Sequence, residues 1–116
     1  MAVILFMRVP ELTPERYGSV VAHLELDANP PAGMILHVAS EAVGAVNVFE
    51  VWQTPEAAES YIERRLRPAL SSSGVEATLS YRLEPMRNLF APEMDVIGRL
   101  GSTALPGGTT LRTRAS

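Results

Sequence analysis

The chain predicts an α+β domain of the ferredoxin-like βαββαβ type: a four-stranded antiparallel sheet with both helices on one face. Three observations predict it. Two helix starts carry the same letters, Thr13-Pro14-Glu15 and Thr54-Pro55-Glu56, and each leads into an apolar stripe of helical period. Stretches rich in Val, Ile, Leu and aromatic residues come before, between and after them in the order the pattern needs. Proline and glycine breaks punctuate the joins.

The first strand is residues 2–9, "AVILFMRV", stopped by Pro10. The first helix follows in "LTPERYGSVVAHLELD", with Thr13 as N-cap and Pro14 at the first helical position. Tyr17, Val20, Val21 and Leu24 form its apolar face. "ANPPAG", residues 28–33, breaks the chain. Two strands are expected at about residues 34–40 and 45–53, joined by a turn at Gly44. The second helix starts at Thr54-Pro55, with Ala58, Tyr61, Ile62, Leu66 and Ala69 as its stripe and a Glu63–Arg67 pair on the other side. Pro68 is expected to kink its last turn or end it early. "SSSG", residues 71–74, reads as loop, and the alternating "VEATLSYRLEP", residues 75–85, as the last strand. The domain thus takes residues 1–91, and residues 92–116 form a C-terminal arm with one short helix in "PEMDVIGRL".

Composition removes several chemistries. The 116 residues contain no cysteine, which excludes disulfides, thiolate catalysis and Cys-ligated zinc. All ten basic residues are arginine, so a lysine Schiff base is excluded as well. The net charge of −3 comes without a basic cluster, which argues against a nucleic-acid partner. "MAVILFMRV" is too short for a membrane span and is followed, not preceded, by its arginine. A soluble, cytoplasmic protein with no membrane partner is the expectation.

Strand parity sorts the side chains into two sets. Val3, Leu5, Met7, Met34, Leu36, Val38, Phe49, Val51, Ala77, Leu79, Tyr81 and Leu83 are nearly all apolar and are expected under the helices. The other set mixes Ile4, Phe6, Ile35, Ala39, Val46, Val48 and Trp52 with Arg8, His37, Glu50, Arg82, Glu84, Thr78 and Ser80. An apolar wall with a few polar groups suits a small-molecule cavity. Left open, such a face would be a large exposed apolar patch, so a homodimer is expected, with two sheets enclosing a barrel-like chamber.

On that reading His37 is the candidate base or acid and Glu50 its partner on the adjacent strand. Trp52 would stack on a flat ligand, Arg8 and Arg82 would hold an anion, and Phe6, Val48 and Asn88 would line the cavity or its mouth. The structural alternatives are an interface or core histidine, ion pairs from Arg8 and Arg82 to Glu50 or Glu84, a packing tryptophan and a turn-closing asparagine. Tyr17 and Tyr61 read as core. His37 and Glu50 lack a third metal ligand, and no cofactor is expected.

The segments "LTPERYGSVVAHL", "GMILHVAS", "VFEVWQTPEAAESYIERRLRPAL" and "EPMRNLF" resemble the dimeric α+β barrel superfamily, and within it proteins related to the antibiotic biosynthesis monooxygenase (ABM) domain. The likeness covers residues 2 to about 90. It implies a cofactor-independent monooxygenase, cyclase or isomerase acting on a flat, apolar polyketide- or quinone-like metabolite. A non-catalytic ligand-binding or dimerisation module and a haem-binding protein are the alternatives. Trp52 maps onto the tryptophan that the quinone-forming members use, but Val48 stands where they carry asparagine. Residues 55–70 contain no histidine to match a proximal haem ligand.

Overall fold

The computed structural model describes residues 1–75 and 79–103. Its elements run β1 (Val3–Pro10), α1 (Pro14–Leu24), β2 (Met34–Ala42), β3 (Ala45–Trp52), α2 (Pro55–Tyr61), a π-helical turn (Ile62–Leu66), α3 (Arg67–Ser72), β4 (Ser80–Pro85) and α4 (Met94–Leu100). The strands form one sheet in the order β2-β3-β1-β4, with every neighbouring pair antiparallel. This is the expected α+β ferredoxin-like arrangement.

Both helix starts are capped as their letters require. Thr13 Oγ1 accepts from the Arg16 N–H at 3.2 Å, and Thr54 Oγ1 accepts from the Ala57 N–H at 3.1 Å. Proline occupies the first turn of each helix, where its missing N–H is not needed. The hairpin between β2 and β3 turns through Val43 and Gly44, with Gly44 at a φ of +71°.

The second helical run does not stop early at Pro68. A π turn precedes it, in which the Arg67 N–H reaches the Ile62 carbonyl. Pro68 has no N–H to give, and its ring would crowd the carbonyl four residues back in a regular α-helix. The wider turn relieves that crowding, and the run continues to Ser72. The Glu63–Arg67 pair closes across the same turn at 2.8 Å.

Part of the expected "SSSG" loop is therefore helix. The stop is set by Gly74 at a φ of +74°. Its N–H bonds the Ser71 carbonyl at 3.1 Å, and the Val75 N–H bonds the Leu70 carbonyl at 2.9 Å. That is a Schellman stop, completed by burial of both Leu70 and Val75. Val75 thus belongs to the helix end, not to β4, which begins at Ser80. Ala77 and Thr78 lie outside the described residues, as does the whole of the arm beyond Thr103. The segment after β4 returns to the body of the domain: the Thr103 N–H bonds the Asp27 carboxylate at 3.1 Å.

The sheet's pairing corrects the expected faces of β2 and β3. Val3, Leu5, Met7 and Val9 of β1 are buried under the helices, as expected of the first three. Their direct partners on β3 are Trp52, Glu50, Val48 and Val46, and partners across an antiparallel ladder share a face. The mixed residues of β3 therefore lie beneath the helices, and Asn47, Phe49 and Val51 lie on the other face. In β2 a bulge at Ile35 shifts the register, so that Met34 pairs with Trp52 and His37 with Glu50. His37 and Ala39 consequently point toward the helices, and Leu36 and Val38 away from them. The parity of β4 is as expected, with Leu83 and Tyr81 opposite Leu5 and Met7.

Candidate functional site

The correction splits the expected constellation in two. Beneath the helices, β2 and β3 present His37, Glu50, Trp52 and Val48. On the opposite face, β1 and β4 present Phe6, Arg8 and Arg82.

Among the described residues Glu50 is the one buried charged side chain, 1% exposed. A carboxylate survives there only with partners for its oxygens. Both are supplied locally. Trp52, two residues along the same strand, donates its indole N–H to Oε1 at 3.0 Å. His37, directly opposite on β2, places Nδ1 2.6 Å from Oε2. Such a short contact is that of a charge-assisted bond. The Trp52 side chain is 0% exposed and its ring lies 5.2 Å, centroid to centroid, from that of Tyr61. It therefore holds the carboxylate from behind.

His37 and Glu50 line an interior cavity of about 30 Å³ between sheet and helices. The wall is otherwise apolar: Met7, Val9, Leu12, Val20, Leu24, Val46, Val48, Leu66 and Leu70, with the rings of Tyr17 and Tyr61. The volume holds a water or two. The His37 side chain is 15% exposed, and its Nε2 has no bond to a described residue. Burial pushes the Tyr61 phenol well above the ordinary tyrosine range, and the Glu50 carboxylate adds to the rise. Tyr17 is raised by burial first, then by Glu41 and Glu50.

Tyr61 belongs to the buried core and Tyr17 packs against it, as reading by helical stripe expected, and both rings line the cavity.

The far face carries a separate, shallower cleft of about 530 Å³. Phe6 and Phe49 meet edge to face at 5.5 Å, and the Arg82 guanidinium lies 4.3 Å from the Phe6 ring centroid. Arg82 also pairs with Glu84 at 2.6 Å, and Arg8 donates to Asn47 Oδ1 at 3.1 Å. Neither arginine reaches Glu50. Val38 on this face is 49% exposed. Asn88, in the segment after β4, is exposed and lines neither cavity.

Among the described residues no group of three His, Cys, Asp or Glu side chains is placed to hold a metal ion. No helix among them is long and apolar enough to cross a membrane.

No protein-family model matches the sequence, and no curated protein matches it. Solved structures do. SnoaB, a cofactor-independent oxygenase from Streptomyces nogalater, is 14% identical, with a TM-score of 0.56 over 76% of this chain and 94% of its own. A protein from Chloroflexus aurantiacus J-10-fl, proposed as an antibiotic biosynthesis monooxygenase, is 15% identical, with a TM-score of 0.57 over 78% of this chain and 98% of its own. A Nitrosomonas europaea protein of unknown function, NE2512, is 14% identical, with a TM-score of 0.57 over 78% and 94%. The chain has the fold of the ABM-like α+β barrel proteins.

Proposed function

We propose that this ABM-fold chain is a small-molecule protein, working as a homodimer, in which His37 moves a proton on a flat, apolar ligand without help from a cofactor. One observation carries this reading: the His37–Glu50–Trp52 chain of hydrogen bonds ends on the wall of an otherwise apolar cavity. With Nδ1–H given to the Glu50 carboxylate, Nε2 carries the free lone pair. Glu50 fixes the ring and the tautomer, and it faces the imidazolium that forms when Nε2 takes a proton. Trp52 fixes Glu50. The apolar wall keeps the local dielectric low and so strengthens each of these interactions.

The proton would come from an acidic C–H or a phenolic O–H of a polyketide- or quinone-like metabolite. Guests larger than water enter by displacing side chains of α1 and the α2–α3 run. The anion left behind is the entry to oxygenation where dioxygen reaches it, and to cyclisation or isomerisation where it does not. SnoaB, an oxygenase that needs no cofactor, supports this class of chemistry on the same fold.

The second sheet face supports the dimer. Phe6, Phe49, Val38 and Leu36 share it with Arg8, Arg82 and Glu84, so a second copy would find both apolar area and charges of either sign. Sedimentation of wild type against Phe49→Asp tests this, with a dimer expected for the first and a monomer for the second.

The proton-transfer reading is tested with His37→Gln and His37→Ala. A metabolite retained through native mass spectrometry of protein from its own host supplies the substrate. Turnover should fall by about 10²- to 10⁴-fold in both variants, with ligand affinity kept. Turnover that survives both changes ends the proposal. A ligand that wild type binds and never converts would make the chain a binding module.

A further inference from the structure

The far face of the sheet is ordered in ranks, because residues paired across a ladder share a face. Ser40, Asn47, Arg8 and Ser80 form a polar rank, and Val38, Phe49, Phe6 and Arg82 form an aromatic one beside it. The next rank is closed at its centre, where Val51 is 1% exposed. The cleft of about 530 Å³ lies over the first two ranks and is lined by both. That volume suits a small aromatic ligand.

These two ranks hold two guanidinium groups and no carboxylate. Arg82 has its counter-charge in Glu84, 2.6 Å away, and lies over the Phe6 ring. Arg8 has none. Its Nη1 donates to the neutral Asn47 Oδ1 at 3.1 Å, and among the described residues no carboxylate pairs with it. One positive charge is thus left over on this face, although the chain as a whole is at −3. In the open, water serves Arg8. Closing the face against a second copy takes that water away and, by symmetry, brings a second Arg8 into the same space. A buried guanidinium without a counter-charge is costly, so the closed dimer calls for an anion at each Arg8. Glu84 is already spent on Arg82. Beside Arg8 lies the edge-to-face pair of Phe6 and Phe49, half-buried and apolar.

Resting on the dimer reading of this face, we propose that two copies of the chain enclose an aromatic carboxylate on each Arg8. The carboxylate lies against the guanidinium, whose planar fork matches its two oxygens. Its ring lies on Phe6 and Phe49. One charge is left over per copy, so the ligand is a monoanion, one to each chain. The site is separate from the His37–Glu50 pair, which lies on the other side of the sheet. A neutral ring of the same shape fills the cleft but leaves Arg8 without a counter-charge, so it gains nothing from closure.

The test uses 2-naphthoate, ionised at neutral pH, against its uncharged counterpart 2-naphthalenemethanol. Sedimentation over a range of protein concentrations reads the dimer, and calorimetric titration reads the probe. Saturating 2-naphthoate should tighten the wild-type dimer about 10-fold or more, and the alcohol should leave it as it was. Arg8→Gln should bind 2-naphthoate about 10- to 100-fold more weakly and lose the response. Without probe it should dimerise at least as tightly as wild type, because the unpaired charge is gone. A wild-type dimer that 2-naphthoate loosens or leaves unchanged overturns the enclosed anion and leaves the dimer standing. So does an Arg8→Gln dimer weaker than wild type, since Arg8 would then be held by the second copy itself. A wild-type chain that stays monomeric with and without 2-naphthoate ends the dimer reading, and the enclosure with it.

Discussion

Glu50 and Glu84 belong to one sheet and face opposite ways. Glu50, under the helices, has both carboxylate oxygens bonded and is 1% exposed. Glu84, on the other face, pairs with Arg82 in the open, where the two side chains are 50% and 66% exposed. The open pair has a full counter-charge within 2.6 Å, and water screens most of its value. The buried carboxylate has an indole N–H and an imidazole, and the low-dielectric surroundings make both count. The difference teaches that the site was not put where the formal charges are densest. It sits where a charge is expensive to hide and where two side chains, one from its own strand and one from the neighbour, are arranged to hide it.

The largest expected effect comes from removing the support behind the carboxylate. Trp52→Ala should cost about 3–5 kcal/mol of stability in urea unfolding, because it opens a cavity and strips Oε1 of its donor. A loss under about 1 kcal/mol would mean that Glu50 needs no such support.

Replacing the pair together should behave differently. His37→Leu combined with Glu50→Leu removes both polar groups from an apolar wall. The double variant should match or exceed wild type in stability, by up to about 4 kcal/mol, while turnover is lost. A double variant less stable than wild type would make the pair a structural element.

A smaller effect is expected in alkali. The buried Tyr61 phenol keeps its proton where an unfolded tyrosine, with its ordinary value of 10.0, gives it up. Above that pH the unfolded chain holds fewer protons than the folded one, so stability is intact below the ordinary value and falls as the pH rises beyond it. Tyr61→Phe should flatten that fall. Equal slopes of stability against pH in the two proteins would show that Tyr61 ionises as freely folded as unfolded.

The smallest effect belongs to the open face. Glu84→Ala should change monomer stability by less than about 0.5 kcal/mol, because an exposed pair contributes little. A cost as large as that at Trp52 would erase the contrast between the faces.

Much of the fold was legible in the letters. Thr13-Pro14 and Thr54-Pro55 mark their helices because a capping hydroxyl and a proline at the first turn are local requirements. The polar residues at 37, 50 and 52 were legible as a candidate site for a similar reason: few strands carry them. Their face was not. Alternation says that Glu50 and Trp52 lie together, but not on which side. Tyr17 and Tyr61 were legible as core because they fall in the apolar stripes of their helices, and the structure packs both there.

What the sequence determined by itself are the elements, their order and their caps, because these depend on residues within a few positions of one another. It also determined that His37, Glu50 and Trp52 would stand near each other on adjoining strands. The tertiary structure decided the rest. The bulge at Ile35 set the parity of β2, and the ladder from β1 set that of β3. A charge could then enter the core because one of its two partners, His37, arrived from another strand, a condition that no local stretch of sequence can state.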